Sequence, residues 1–175
     1  MHFETSRDLE IDVSVDDPGW IAVLPSVEET IHETISTVID FSAPFVNMIE
    51  ISVVLTQDQE IQKLNRDYRG KDKPTNILSF GSLETPLNKI SYEKLTLLGT
   101  PFHLGDLILS LKTLQKESQE QNKILDHHFR HLIVHGMLHL LGHDHVREDD
   151  ALVMENAEVE ILKKFEILNP YLIQD

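Results

Sequence analysis

The sequence predicts a single α+β domain over residues 1–175, in which a small sheet packs against several helices. Three observations predict this fold class. Four short segments have the pattern of strands, and five longer segments carry helical spacing or helix-capping residues. No internal repeat and no linker divides the chain. A length of 175 residues is also ordinary for one domain.

The first elements of the chain are predicted to be a strand, a turn and a helix. Asp8–Val15 alternates apolar and polar residues with the period of a half-buried strand. A turn is expected at residues 16–19, where two acidic residues precede Pro and Gly. Ser26 followed by Glu29 is a capping-box pattern, and apolar residues continue after it at helical spacing. We therefore expect an amphipathic helix that ends near Asp40.

The middle of the chain is predicted to contain two strands, a short helix and a loop. Residues 49–55 alternate again and predict a second strand. Thr56 can then cap a short helix that Gly70 ends, because glycine readily adopts the left-handed conformation at a helix C-terminus. Residues 76–80 are expected to form a third strand. Residues 81–103 contain two Gly and two Pro without sustained periodicity, which favours a long surface loop.

The last third of the chain is predicted to be mainly helical. Residues 104–109 have the composition of a fourth strand. Ser110 can cap a helix that runs to about Leu125, and a His-rich helix follows over about residues 126–141. A last helix is expected over about residues 147–168.

Composition limits the classes of function. The chain has 15 Lys+Arg against 30 Asp+Glu, for a net charge of −15, which disfavours wholesale wrapping of nucleic acid but allows a local cationic patch. The absence of Cys excludes disulfides, thiolate metal sites and Cys nucleophiles. No signal-peptide pattern and no apolar run of membrane-spanning length occurs, so we expect a cytoplasmic protein without a membrane partner.

Histidine is concentrated in one segment. Of ten histidines, seven fall within 19 residues, namely His127, His128, His131, His135, His139, His143 and His145. His135 and His139 lie one helical turn apart, and Gly142 lets the chain reverse and return His145. This reproduces the metzincin zinc spacing H-x-x-x-H-x-x-G-x-x-H. Three imidazoles leave a fourth position for water, as in catalytic zinc sites.

The alternative to a metal site is a helix that exposes several histidines on its solvated face and binds no metal. It explains one or two such residues, but not the glycine at its position. We therefore predict a metal site formed by His135, His139 and His145. His127, His128 and His131 precede the site and are not expected to be ligands. His143 is expected to lie at the surface or to shape the loop, and contact with the metal or its water is the alternative.

Gly136 departs from the protease pattern. Metalloproteases have Glu at this position, where it acts as the general base. Glycine cannot take this role, so the sequence disfavours peptide hydrolysis by that mechanism. Phosphodiester cleavage remains possible if a cation stabilises the charge that develops on phosphorus.

Candidate cations lie just before the third strand. Arg66, Arg69, Lys71 and Lys73 are four of the 15 basic residues within eight positions. They could simply complement the dipole of the preceding helix. Arg69 is the preferred functional residue, because a guanidinium can grip phosphate with two hydrogen bonds.

Three blocks of sequence resemble the YbeY (UPF0054-type) family of single-strand endoribonucleases. The blocks are the His-rich segment 135–145, residues 69–80 and residues 104–110. The resemblance implies one zinc ion held by His135, His139 and His145, a functional arginine at Arg69, and a mixed sheet of about four strands. It also implies a role in ribosomal RNA maturation, at the small-subunit rRNA 3′ end, and in ribosome quality control.

The leading hypothesis is a zinc-dependent endoribonuclease that acts on single-stranded rRNA, with the ribosome or ribosomal proteins as partners. A metalloprotease-like hydrolase is one alternative, which Gly136 disfavours. A non-catalytic zinc-containing ribosome-assembly factor is the other, because three histidine ligands do not require turnover. Asn76 lies where many family members have Asp, so we assign it no acid–base role.

Overall fold

Four strands form one mixed sheet in the computed structural model, which describes residues 7–172. In chain order they are β1 (Asp8–Val15), β2 (Met48–Thr56), β3 (Ile77–Gly81) and β4 (Phe102–Ser110). Their order across the sheet is β1-β2-β4-β3. Strand β2 is parallel to β1 and β4, whereas β3 is antiparallel to β4. The predicted α+β fold with a mixed four-stranded sheet is confirmed.

Seven helices accompany the sheet within residues 7–172. They are α1 (Gly19–Val23), α2 (Val27–Ser42), α3 (Asp58–Arg69), α4 (Lys89–Leu95), α5 (Leu111–Glu120), α6 (Leu125–Leu140) and α7 (Glu148–Lys163). No helix in this described range is long and apolar enough to cross a membrane.

The sheet has an apolar cluster on each face, because successive residues of a strand point to opposite sides. The larger cluster includes Val53 and Leu107 and is closed by the apolar faces of α2 and α6. The smaller cluster joins Ile61 of α3 to Leu78 and Ile108. Helix α6, which carries most of the histidines, is therefore anchored in the main core.

The prediction of an uninterrupted loop over residues 81–103 is wrong in its middle, where α4 lies. Asn88 and Ser91 form a reciprocal capping box at the start of this helix. The hydroxyl of Tyr92 bonds to the chain at the start of β2. A local cap and one tertiary anchor thus stabilise a helix of 7 residues, which is too short to show a clear apolar period.

Several predicted caps do not form. Ser26 precedes α2 but makes no capping hydrogen bond with its side chain. Thr56 ends β2 and does not cap α3. The hydroxyl of Ser110 donates to Asp58 of α3 and accepts no hydrogen bond from the N–H groups of its own helix. Gly70, by contrast, ends α3 with a φ of 70°, as predicted.

Other helix boundaries also differ from the sequence-based expectation. The turn at residues 16–19 leads directly into α1, which was not predicted. Helix α5 ends at Glu120 and not near Leu125, because Asn122 adopts a left-handed φ of 53°. Helix α7 ends at Lys163 and not near residue 168, since Glu166 has a φ of 60°. Residues 1–6, part of the segment inspected for a signal peptide, lie outside the described residues.

Candidate active site

The structure brings together the three histidines predicted to bind a metal. His135 and His139 occupy successive turns of α6, and His145 lies in the segment that follows the helix. One ring nitrogen from each can be chosen so that all three lie within 4.8 Å of one another. We call these three residues the His triad.

Gly142 reverses the chain between α6 and His145. Its φ is 97°, in the left-handed region that favours glycine. Its N–H donates to the His139 carbonyl, and the next N–H donates to the Leu138 carbonyl, which closes the helix. A Cβ at this position would stand 2.1 Å from the carbonyl oxygen of Thr85. Only glycine therefore fits the turn that returns His145 to the helix.

Hydrogen bonds fix the ring orientation of two triad members. The Nδ1 atom of His135 donates to Glu158 over 2.5 Å, and the Nδ1 atom of His139 donates to the carbonyl of His143 over 3.0 Å. A carboxylate and a carbonyl can only accept, so in the neutral form of each ring the lone pair lies on Nε2. These Nε2 atoms lie 3.1 Å apart. Two facing lone pairs repel each other, and a divalent cation between them converts the repulsion into attraction; the donor set therefore fits a metal ion.

The charge states of His139 and Glu158 agree with a metal-binding arrangement of the rings. Burial, helped by the adjacent His135, lowers the pKa of His139 to about 4, so its imidazole is neutral at pH 7. Burial alone would raise the pKa of Glu158, but the nearby His131 at 3.7 Å and hydrogen bonds from His135 and Tyr171 bring it down to about 2. Glu158 is thus an ionised carboxylate that holds the ring of His135.

Arg69 lines the same cleft as the His triad. This cleft has a volume of about 800 Å³, and we call it the triad cleft; Lys71 also lines it. The Arg69 guanidinium donates to the carbonyl of Ser79 over 2.8 Å, and its Cζ lies 5.2 Å from the centroid of the Phe80 ring. Both contacts come from β3, so the cation is held in place by the sheet.

Comparisons with known proteins agree on one family. A family model described as Endoribonuclease YbeY matches residues 23–166. A protein of that name from Paramagnetospirillum magneticum is 39% identical to this chain, over 93% of this chain and 96% of its own length. The chain belongs to the YbeY family. Another member, from Magnetococcus marinus, is 50% identical over 71% of this chain and 84% of its own length.

The fold of this YbeY-family chain also matches a solved structure. The solution structure of a protein from Thermotoga maritima superposes with a TM-score of 0.51 and 19% sequence identity, covering 89% of this chain and 91% of that chain. At this identity the likeness concerns the fold. The family resemblance carried by residues 69–80, 104–110 and 135–145 is confirmed by the family match.

Glu158 is a site residue that the sequence reasoning missed. It lies on α7, where it is fully buried between Met154 and Ile161 on the apolar side of the helix. The signal was available, because an acidic residue at an apolar position of a helix must find a buried partner. Its partner was not visible, since only tertiary packing brings α7 against His135.

The remaining cations and Asn76 lie outside the His triad. Arg66 pairs with the neighbouring Asp67 on the exposed side of α3, and Lys73 does not line the triad cleft. The amide of Asn76 donates to both carboxylate oxygens of Glu117 at 3.1 Å, which ties the start of β3 to α5. This contact gives Asn76 a structural role and no acid–base role.

The other four histidines are not part of the triad. His128 bonds to Glu117 over 2.7 Å, and His131 approaches Glu158 at 3.7 Å. His143 contributes its carbonyl to His139 while its ring lines the triad cleft. His127 lines a different cavity. None of the four belongs to the set whose ring nitrogens come together, and the assignment of the metal ligands stays a prediction.

Gly136 packs against the sheet in this member of the YbeY family. A Cβ there would stand 2.8 Å from the terminal carbons of both Ile77 and Leu107. The missing side chain therefore lets α6 approach β3 and β4 closely. The same position cannot supply the carboxylate base of a metalloprotease, because a longer side chain would point into the core.

Proposed function

We propose that this protein is a zinc-dependent endoribonuclease that cleaves single-stranded ribosomal RNA. The observation that carries the proposal is the shared cleft of the His triad and Arg69. Relatives named Endoribonuclease YbeY support the reaction class. The proposal includes action at the small-subunit rRNA 3′ end, ribosome quality control, contact with the ribosome or ribosomal proteins, and a cytoplasmic location.

His135, His139 and His145 would hold one zinc ion per chain. Neutral imidazoles are ordinary zinc ligands, and three of them leave a coordination position open. Zinc held in this way supplies Lewis acidity and activates water. Glu158 and the carbonyl of His143 keep two of the rings in the orientation that ligation requires.

Arg69 would bind the scissile phosphate and stabilise the charge that develops on it. A guanidinium can donate two parallel hydrogen bonds to phosphate oxygens, and one of its amino groups is already fixed by Ser79. Phe80 beneath the guanidinium limits its motion further. A cation that is positioned before the reaction avoids the cost of reorganising during it.

Peptide hydrolysis gains no support from the site. The position of the protease base is Gly136, which faces the core. A non-catalytic assembly factor would retain the metal but would cleave nothing, so turnover separates it from the proposal.

The experiment measures cleavage by chelator-treated protein before and after zinc is restored. Its substrates are an rRNA 3′-end fragment, the same sequence as a duplex, and casein. We expect cleavage of the single strand alone, and only with metal. Casein hydrolysis would support the protease alternative, and metal binding without any cleavage would support the assembly factor.

A further inference from the structure

Two further cavities lie along α6, and one of them adjoins the triad cleft. A cavity of about 340 Å³ shares Asn76 and His135 with the triad cleft. A cavity of about 590 Å³ shares Lys123, His128 and other residues with this smaller cavity. Together they lead from the His triad to the turn between α5 and α6, and we call them the distal groove. This groove is not used by the chemistry described above.

The distal groove combines a cation with exposed apolar side chains. Lys123 lies in both cavities, and burial lowers the pKa of its ammonium. Ile124, Leu168 and Leu172 line the larger cavity although each is more than half exposed. Solvated apolar side chains beside a partly desolvated cation are suited to a ligand with apolar faces and a negative charge.

The groove also contains polar side chains. The Nδ1 atoms of His128 and His131 have no hydrogen-bond partner among the described residues, but both are inaccessible to solvent and do not face a ligand in the groove. Two carboxylates also line the groove, Glu117 and Glu166, and the oxygens of Glu117 are already occupied by hydrogen bonds from Asn76 and His128.

We propose that the distal groove binds a nucleotide of the RNA strand that flanks the cleavage site. Its phosphate lies near Lys123, and its base packs on Ile124, Leu168 and Leu172. An endonuclease must accept the chain on both sides of the scissile phosphate. Arg69 and Lys71 line the triad cleft, and the groove adjoins that cleft at Asn76 and His135. Single-stranded RNA is recognised through its phosphates and unstacked bases, which is the chemistry that this surface offers. This inference rests on the proposed function.

The test compares Lys123→Ala and Leu168→Ala with two matched controls. Lys116→Ala removes a cation of α5 that pairs with Glu120 at 4.0 Å, and Leu152→Ala removes an exposed leucine of α7 outside the groove. Affinity for a single-stranded RNA oligomer is measured by fluorescence anisotropy over a series of salt concentrations. Metal content and cleavage rates are measured on the same preparations.

We expect both groove variants to bind RNA more weakly and to have a higher KM, with unchanged metal content and kcat. Lys123→Ala should also lower the slope of log affinity against log salt by about 0.7, the value for one phosphate of a single strand. Leu168→Ala should leave that slope unchanged, because it removes only an apolar contact.

The result that would contradict the groove as an RNA subsite differs from the result that would contradict the proposed function. If both groove variants match Lys116→Ala and Leu152→Ala while the parent protein cleaves RNA, the groove is not an RNA subsite and the proposed function stands. If the zinc-loaded parent protein cleaves no RNA, the proposed function falls, and this inference falls with it.

Discussion

The Nδ1 atom of His135 donates a hydrogen bond to the buried carboxylate of Glu158 across 2.5 Å, which ties α6 to α7 at the His triad. The hydroxyl of Tyr171 also donates to this carboxylate. Glu158 therefore determines which nitrogen of His135 faces the other two histidines. Support of a ligating histidine by a carboxylate is a common arrangement in metal sites, where it fixes the tautomer and raises the basicity of the ring.

Replacing Glu158 with glutamine should weaken metal binding. A neutral amide keeps the shape of the side chain but loses the ionised acceptor that orients His135. Loss of such a contact typically lowers metal affinity by about 10–100-fold. Competition with a chromogenic chelator measures the affinity. Glu160→Gln on the exposed side of α7 is the control and should bind metal normally. Equal affinities for the two variants would exclude a positioning role for Glu158.

Removing the Arg69 guanidinium should reduce cleavage without releasing the metal. Arg69→Ala should retain the fold and zinc, yet lose on the order of 10²-fold or more in kcat, as expected for a positioned electrostatic group. Arg69→Lys should recover only part of the rate, because an ammonium lacks the planar fork. Single-turnover cleavage of a single-stranded RNA provides the measurement.

The matched control for this residue is Arg66→Ala, which removes an exposed cation of the same helical turn. If Arg69 only complemented the helix dipole, its loss would cost about 0.3–1 kcal/mol of stability and leave cleavage intact. Normal cleavage by zinc-loaded Arg69→Ala protein would end its assignment to the reaction.

A methyl group at Gly142 should disturb both stability and metal binding. At Gly99, where φ is 73° and no atom crowds the Cβ position, alanine should cost about 1–2 kcal/mol of unfolding free energy through the backbone conformation alone. Gly142→Ala should cost more, because its Cβ would meet the Thr85 carbonyl, a backbone group that cannot move aside easily. It should also weaken metal binding by displacing His145. Chemical denaturation measures the unfolding free energy of both variants, and metal titration measures their metal affinity. Equal losses in Gly142→Ala and Gly99→Ala would contradict the prediction.

The Glu117 carboxylate should make the protein sensitive to acid. Burial alone would raise its pKa, but hydrogen bonds from His128 and Asn76 lower it overall, below the ordinary value of 4.5. Between the folded and unfolded pKa values the unfolded chain binds the proton and the folded protein does not. Stability from this group is therefore present above about pH 4.5 and is lost as the pH falls through the folded pKa.

Unfolding free energies measured from pH 6 downwards should thus fall less steeply for Glu117→Gln than for the parent protein. Glu120→Gln changes an exposed carboxylate of the same helix. Its unfolding free energy should fall with pH as steeply as that of the parent protein. If the unfolding free energy of Glu117→Gln fell with pH as steeply as that of the parent protein, the fold would not hold this carboxylate in its ionised form.

The sequence predicted the parts of this fold that depend on local pattern. Alternation identified β1 and β2, and the spacing of His135, His139, Gly142 and His145 predicted that the three histidines lie together, as they do. The left-handed residue at Gly70 was also predicted, since glycine is the usual residue at such a helix end.

Features that depend on tertiary contacts were missed. Ser110 was expected to cap α5, but its hydroxyl found Asp58 on α3 instead. Helix α4 depends on the contact of Tyr92 with the start of β2, which no local pattern reveals. Glu158 and His135 are 23 positions apart, so their pairing follows only from the packing of α7 on α6.

The most direct test of the central claim is to measure metal content and RNA cleavage on one preparation of the parent protein and of His139→Ala, with His128→Ala as the control. The parent protein should bind one zinc per chain and cleave single-stranded rRNA, and His128→Ala should keep its zinc, whereas His139→Ala should neither bind zinc nor cleave RNA, because two remaining imidazoles form an incomplete site. Full zinc occupancy or undiminished cleavage in folded His139→Ala protein would contradict the account.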